Sequence, residues 1–346
     1  MVIPAKGKTM NIKNWWLIPV VILLTLVSFI ASLSLGAADT PLSDVINALF
    51  NSQSHTSVTN SIIWQLRMPR SILAFVAGAG LALSGLVLQI VTRNPLADPY
   101  LFGISSGAMF GAVLSISFIG ASAWLSLPLA AFLGSVFSML LLISFARINR
   151  FQQIETLLLA GVALSFLFSA FTSLLLYWSD PQAVTSILFW TLGSFARAQW
   201  ASLWLPALLV VFCLGLLSLY QSRLMALLLG DESAVTLGIN VGKLRIVMLL
   251  ISSILTASIV ALCGGIGFVG LMIPHLVRQF IHAGHKLNFA ITALVGGIFM
   301  VWVDVLARII LSNQELPVGV ITAAIGSVFF LITLYSRAQK QGKLSS

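Results

Sequence analysis

The sequence predicts an all-α integral membrane protein: a bundle of about ten transmembrane helices forming one domain over residues 1–346. Three observations predict it. Of the 346 residues, 59% are hydrophobic and 8% charged. Soluble domains carry roughly 25% charged residues, so an ordinary soluble enzyme and a disordered chain are both excluded. The apolar runs are continuous and about 20 residues long, the length a helix needs to cross the hydrocarbon core, and the period-two alternation of a barrel strand is absent. Finally, Lys and Arg are distributed very unequally between the two sides that ten spans would define.

The elements follow in order. Lys6, Lys8 and Lys13 precede an apolar run from Trp15 to Gly36. That run exceeds the roughly 7–15 residues of a signal-peptide core, so it reads as a retained first helix behind a cytoplasmic tail, 1–14. A loop at 37–70 follows on the outside, with Asp39, Asp44 and a polar stretch from Asn51 to Ser61. Further spans lie near 71–92, 100–120, 123–146, 156–178, 201–220, 243–263, 265–283, 287–311 and 317–336. An irregular outside segment, 179–200, contains Asp180-Pro181. The run at 265–283 is short, opens with Gly264-Gly265-Ile266-Gly267 and contains Pro274.

Between spans six and seven, the inside loop 221–242 is unusual. Leu224 to Leu229 is apolar but too short to span, and Gly230 breaks it. Asp231 and Glu232 bring negative charge suited to a new helix start, and Gly238 suits its end. Two short amphipathic helices are expected here, forming a docking surface for a soluble partner, with a simple interfacial turn as the alternative.

With the N-terminus inside, fourteen of the 18 Lys and Arg fall on inside segments, and only Arg67, Arg70, Arg197 and Arg308 fall outside. Losing or adding one helix would scramble that asymmetry. The net charge of +9 is thereby spread along the inside loops, where it sets topology, and no nucleic-acid partner is implied.

Catalytic equipment is nearly absent. Gly238-Ile239-Asn240-Val241-Gly242-Lys243 is one residue short of a phosphate-loop spacing, and Leu244 stands where a Mg²⁺-binding hydroxyl belongs. Gly78-Ala79-Gly80 has no preceding strand, so it fails as a dinucleotide fingerprint. Cys213 and Cys263 lie far apart in apolar runs without metal-ligand spacing. His275, His282 and His285 would be the residues of a membrane enzyme, but they sit at a cation-rich helix end with no acid or Cys nearby. Asp304 and Arg308 share a helix face four residues apart, either as a mutual pair or as the coupling site of a secondary ion-coupled carrier. No other acid lies deep in a span, which disfavours the carrier.

Several ordered motifs resemble one family. They are Leu66-Arg67-Met68-Pro69-Arg70 with Ala77-Gly78-Ala79-Gly80-Leu81-Ala82-Leu83-Ser84-Gly85, and Arg93-Asn94-Pro95-Leu96-Ala97-Asp98-Pro99 running into Leu101-Phe102-Gly103-Ile104-Ser105-Ser106-Gly107. Leu157-Leu158-Leu159-Ala160-Gly161, Gly267-Phe268-Val269-Gly270-Leu271-Met272-Ile273-Pro274-His275 and Glu315-Leu316-Pro317-Val318-Gly319 complete the set. Over about residues 60 to 337 the chain resembles the permease subunits of ATP-binding-cassette importers for iron–siderophores, haem and vitamin B12.

The resemblance implies a bacterial inner-membrane permease with cytoplasmic termini, working as a homodimer or with a paired homologue. Two cytoplasmic ATPase subunits would hold the ATP and Mg²⁺; no cofactor or metal is expected on this chain. A periplasmic binding protein would deliver an iron–siderophore or haem chelate, with cobalamin as the alternative cargo. Arg67, Arg70 and Arg308 match the family's docking arginines, and reversing them to Glu is expected to leave the fold intact. Gly230, Asp231, Glu232, Ser233, Ala234, Leu237 and Gly238 match its ATPase-coupling loop. Ile154, Glu155 and Thr156 stand where relatives place a cytoplasmic gate, although there the family favours small hydroxyl residues.

Overall fold

The computed structural model describes residues 16–36, 40–50, 58–119, 126–148, 154–281, 284–311 and 314–342. Among them are thirteen helices and no strand. In chain order these are α1 (Leu17–Ser34), α2 (Leu42–Phe50), α3 (Val58–Val91), α4 (Ile104–Ile119), α5 (Ser126–Ile148), α6 (Ile154–Trp178) and α7 (Pro181–Thr191). They continue with α8 (Trp200–Leu228), α9 (Asp231–Thr236), α10 (Val241–Cys263), α11 (Val269–Phe280), α12 (Asn288–Ile309) and α13 (Val318–Gly342).

Eight of them are long and apolar enough to cross a membrane. The remaining two expected spans are shorter. The third corresponds to α4, 16 residues, entered through a 3₁₀ turn at Pro99–Phe102. The eighth corresponds to α11, whose 12 residues cover about 18 Å of a roughly 30 Å core. Its lead-in, 264–268, is non-helical because Gly264 and Phe268 both adopt positive φ, +73° and +68°. Irregular backbone is tolerable at membrane depth only where protein covers it, and neighbours do so here. Cys263 O accepts from Ser194 N at 2.9 Å, and the Tyr100 hydroxyl oxygen accepts from Ile266 N at 2.6 Å. Val318 N and Gly319 N donate in turn to Gly193 O and Leu192 O.

Helix α3 is the axis of the subunit and the most buried span, with α10 second. Small residues allow this. A Cβ on Gly78 would overlap the Gly296 carbonyl of α12, and one on Gly85 would overlap the Gly270 carbonyl of α11. Backbones in lipid approach this closely only where side chains are missing. Ser84 supplies a polar link to α10, its hydroxyl lying 2.6 Å from that of Ser252 and 2.8 Å from that of Thr256. By contrast α1, α6, α8 and α13 turn most of their apolar surface outward, as lipid-facing helices do.

Three expectations need correction. The segment 37–70, read as a loop, holds α2 and the first residues of α3. Pro69 lies within the helix, directly after a wide π-helical turn at Ile62–Arg67, and the helix continues through it. The irregular segment 179–200 contains α7, whose first turn is capped by Asp180 accepting from Gln182 N at 3.0 Å. The first of the two short helices expected in 221–242 is instead the tail of α8. Nothing between Tyr220 and Leu229 interrupts the helix until Gly230, at φ +116°.

Candidate functional site

Two polar clusters lie at opposite ends of α3. At its start, α3 carries Arg67 and Arg70, and α12 brings Asp304 and Arg308. Arg70 Nε lies 2.8 Å from Asp304 Oδ1, and Arg70 Nη1 lies 2.7 Å from Glu315 Oε1. Asp304 also faces Arg308 Nε at 3.2 Å through its other oxygen.

Arg67 and Arg308 are each 6% exposed, and both reach the end of α1. Arg67 Nη1 donates to Leu33 O at 2.6 Å, Ser34 O at 3.0 Å and Thr40 Oγ1 at 2.6 Å. Arg308 donates to Leu35 O at 3.1 Å, and to Ser32 O and Oγ at 3.2 and 3.0 Å. The last carbonyls of a helix have no partner of their own and carry partial negative charge, so two cations there satisfy both needs.

These three arginines therefore share a largely buried network with two carboxylates, Asp304 and Glu315. Replacing them by Glu would set buried carboxylates against Asp304 and the α1 carbonyls, so reversal is expected to destabilise the fold and not to leave it intact. Of this network, Glu315 is the exposed member, its side chain 45% exposed. The fourth outside arginine, Arg197, is exposed and makes no ion pair among the described residues.

At the other end of α3, the segment 230–238 folds as expected of a short helix between two glycine turns. Asp231 and Glu232 occupy the first turn of α9. Ala234 is buried against α8 residues Leu224 and Leu227, whereas Glu232 faces solvent and Ser233 is half-buried. Gly238 closes the element at φ +77°, its N–H donating to Val235 O at 2.8 Å. Leu229, Val235 and Leu237 are each exposed. Exposed apolar side chains close in sequence to Asp231 and Glu232 suit a protein partner. Asp231 turns inward, to Arg245 Nη2 at 2.9 Å and Arg93 Nη2 at 3.3 Å.

Beside Arg93, the turn into α4 is fixed by Asp98. Buried, it accepts from Tyr100 N at 2.8 Å. Burial pushes its carboxyl up to about 6, and the Tyr100 N–H offsets only part of that.

Of the expected gate, Ile154, Glu155 and Thr156 form the first turn of α6. Among the three, only the Thr156 side chain lies among the described ones, and it is half-buried. His275 packs its ring at 5.8 Å from Phe329, and His285 Nδ1 accepts from Leu287 N at 3.2 Å. His282 lies outside the described residues. No cluster of three His, Cys, Asp or Glu able to hold a metal occurs among the described residues.

A cavity of about 370 Å³ lies among Tyr100, Ser105, Trp190, Gly265, Gly319 and Ala323, and no charged side chain lines it. It abuts the irregular junction that covers residues 264–268. Sequence reasoning missed Glu315, Arg93 and Arg245 as network members, because their partners come from distant segments and no local pattern announces them.

The model of a family described as the FecCD transport family matches residues 24–336. The hemin transport system permease protein HmuU of Yersinia pestis is 38% identical over 320 residues, covering 90% of this chain and 94% of that protein. The molybdate import system permease protein MolB of Haemophilus influenzae is 39% identical over 279 residues, covering 80% of this chain and 82% of that protein. Other matches are named for vitamin B12 in Klebsiella pneumoniae, 37% identical, and for Fe(3+)-citrate in Bacillus subtilis, 35% identical. A solved inward-facing structure of a metal-chelate type ABC transporter superposes with a TM-score of 0.82 at 35% identity, covering 93% of this chain and 99% of that one.

Proposed function

The chain belongs to the FecCD transport family of ABC importer permeases, and from that premise we propose that it passes an iron–siderophore or haem chelate inward across the bacterial inner membrane. One observation carries the reading: the superposition on a metal-chelate type ABC transporter over nearly the whole of both chains. In this reading a periplasmic binding protein delivers the cargo. Two cytoplasmic ATPase subunits bind ATP and Mg²⁺ and supply the energy, while this chain performs no covalent chemistry and carries no cofactor. Two copies, or one copy and a homologous permease, would enclose the path between them, with both termini in the cytoplasm.

Physical chemistry supports the division of labour. The charge-free cavity beside Tyr100 and Trp190 offers contact without strong polar anchoring, which suits cargo that must leave as readily as it enters. The exposed side chains of Leu229, Val235 and Leu237, in and beside α9, are what this segment would offer to an ATPase. Docking of the binding protein would use the arginine end. Glu315 and Arg197 are exposed charges on the outside; Arg67, Arg70 and Arg308 hold the frame behind Glu315.

A cobalamin cargo is the second reading within the family, supported by the vitamin B12 relative. The molybdate relative extends the range of cargo to be tried to small oxyanions. From another class, a secondary carrier would rest on Asp304 and Arg308, but that aspartate is fully buried between two arginines.

The test is uptake into vesicles containing the permease, its ATPase subunits and its binding protein, with labelled ferric siderophore, haem, cobalamin and molybdate offered separately. ATP-dependent accumulation of an iron chelate is expected. Uptake driven by an ion gradient without the ATPases would overturn the reading.

A further inference from the structure

Asp231 gathers three separate segments on one carboxylate. It opens α9, the short helix of the coupling loop. Both its oxygens accept from Arg245 Nη2 at 2.9 Å, and Arg245, in the second turn of α10, is 2% exposed. Its Oδ1 also lies 3.3 Å from Nη2 of Arg93, just beyond the C-terminus of α3. Arg93 holds a left-handed backbone at φ +50°, a conformation that costs a side-chain-bearing residue energy and persists only where its surroundings fix it.

The two helices so joined are the most buried spans of the subunit. They are also bound to each other at Ser84, which meets Ser252 and Thr256. In and beside α9, Val235 and Leu237 are exposed, so the element has apolar side chains for a partner and one ionic tether to the core. A charge-assisted bond from a rigid guanidinium resists shear in a way that apolar contacts do not.

We propose that Asp231 is the positioning residue that transmits movement of α9 to α3 and α10, through Arg93 and Arg245. The proposal rests on the reading of α9 as the ATPase-docking element. Pulling α9 outward draws the ends of both central helices with it. Without the carboxylate, α9 still meets its partner, but its displacement is no longer passed inward.

The experiment uses the complete transporter in proteoliposomes and reads cargo molecules moved per ATP hydrolysed. Asp231→Asn is expected to lower that ratio at least fivefold, and Asp231→Glu to recover at least half of it. Arg93→Gln, at a side chain 39% exposed and so tolerant of substitution, should lower it at least twofold. A wild-type ratio in Arg93→Gln or in assembled Asp231→Asn overturns the proposal. Leu237→Asp tests the underlying reading separately. Normal ATPase association and uptake in that variant would remove α9 from the ATPase interface, whatever Asp231 does.

Discussion

Arg70 and Asp304 meet at 2.8 Å although 234 residues separate them in sequence. Arg70 holds a second acid, Glu315, at 2.7 Å, so one guanidinium carries two carboxylates that differ in burial: Asp304 is fully buried and Glu315 is 45% exposed. Their energetic weight should differ accordingly. Removing one partner of a buried pair costs about 3–5 kcal/mol, because the remaining charge stays desolvated. An exposed pair contributes about 0–1 kcal/mol. Asp304→Asn should therefore lower the thermal unfolding midpoint in detergent sharply, and Glu315→Gln should leave it nearly unchanged. Equal effects would mean that the network is not organised around Asp304.

Arg308 and Arg67 close the C-terminal end of α1 from two other helices. Arg308→Glu should release that end and set a second carboxylate beside Asp304, for a loss of about 3 kcal/mol or more. Amide exchange over residues 32–36 should rise well before global unfolding. Unchanged protection there would show that α1 is held by apolar packing alone.

Composition and cation placement made the bundle legible, because lipid imposes length and hydrophobicity on every span. Asp180-Pro181 is a local helix start, an N-cap followed by Pro at the first helical position, and it was legible as such within the segment read as irregular. The π turn before Pro69 carries no comparable local signal. The arginines were visible as outside cations, and their motif pointed to docking. Their burial was not visible, since it depends on α1 bringing its carbonyls beside α3 and α12. Asp231 was legible as a helix start. That it faces Arg93 and Arg245 follows from the packing of α8, α9 and α10, which no spacing in the sequence encodes.

The Asp98 carboxyl gives stability a pH dependence with a definite sign. Burial raises it from 3.8 to about 6, so the folded state binds its proton more tightly than the unfolded state. Its contribution is fully present below about pH 4 and is lost as pH rises through about 6, a change of roughly 2–3 kcal/mol. Asp98→Asn keeps an oxygen to accept from Tyr100 N and removes the charge. The variant should be more stable than wild type at pH 8, and the difference should vanish at pH 4. A gain independent of pH would assign the effect to something other than this carboxyl.

Close backbone approach makes Gly78 irreplaceable where Gly215 is not. A Cβ at 78 would overlap the Gly296 carbonyl, whereas one at 215 has nothing within 4 Å. Gly78→Ala should force α3 and α12 apart and cost about 1–3 kcal/mol, as overpacking does. Gly215→Ala, inside α8, should be neutral or stabilising by up to about 1 kcal/mol, by restricting the unfolded chain. Unfolding midpoints of the two variants provide the comparison, and a stable Gly78→Ala protein would show that the contact yields easily.

At Gly238 the constraint is conformation and not space. Its φ is +77°, and a Cβ there would meet nothing within 4 Å. A bulky residue should consequently be little worse than Ala, since both meet the same penalty of about 1–2 kcal/mol for left-handed backbone. Asn, which tolerates that region, should be the mildest replacement. If this turn fixes α9 against its partner, cargo moved per ATP should fall alike in Gly238→Ala and Gly238→Leu, and less in Gly238→Asn. An effect that grows with side-chain volume would mean instead that an ATPase surface packs directly over residue 238.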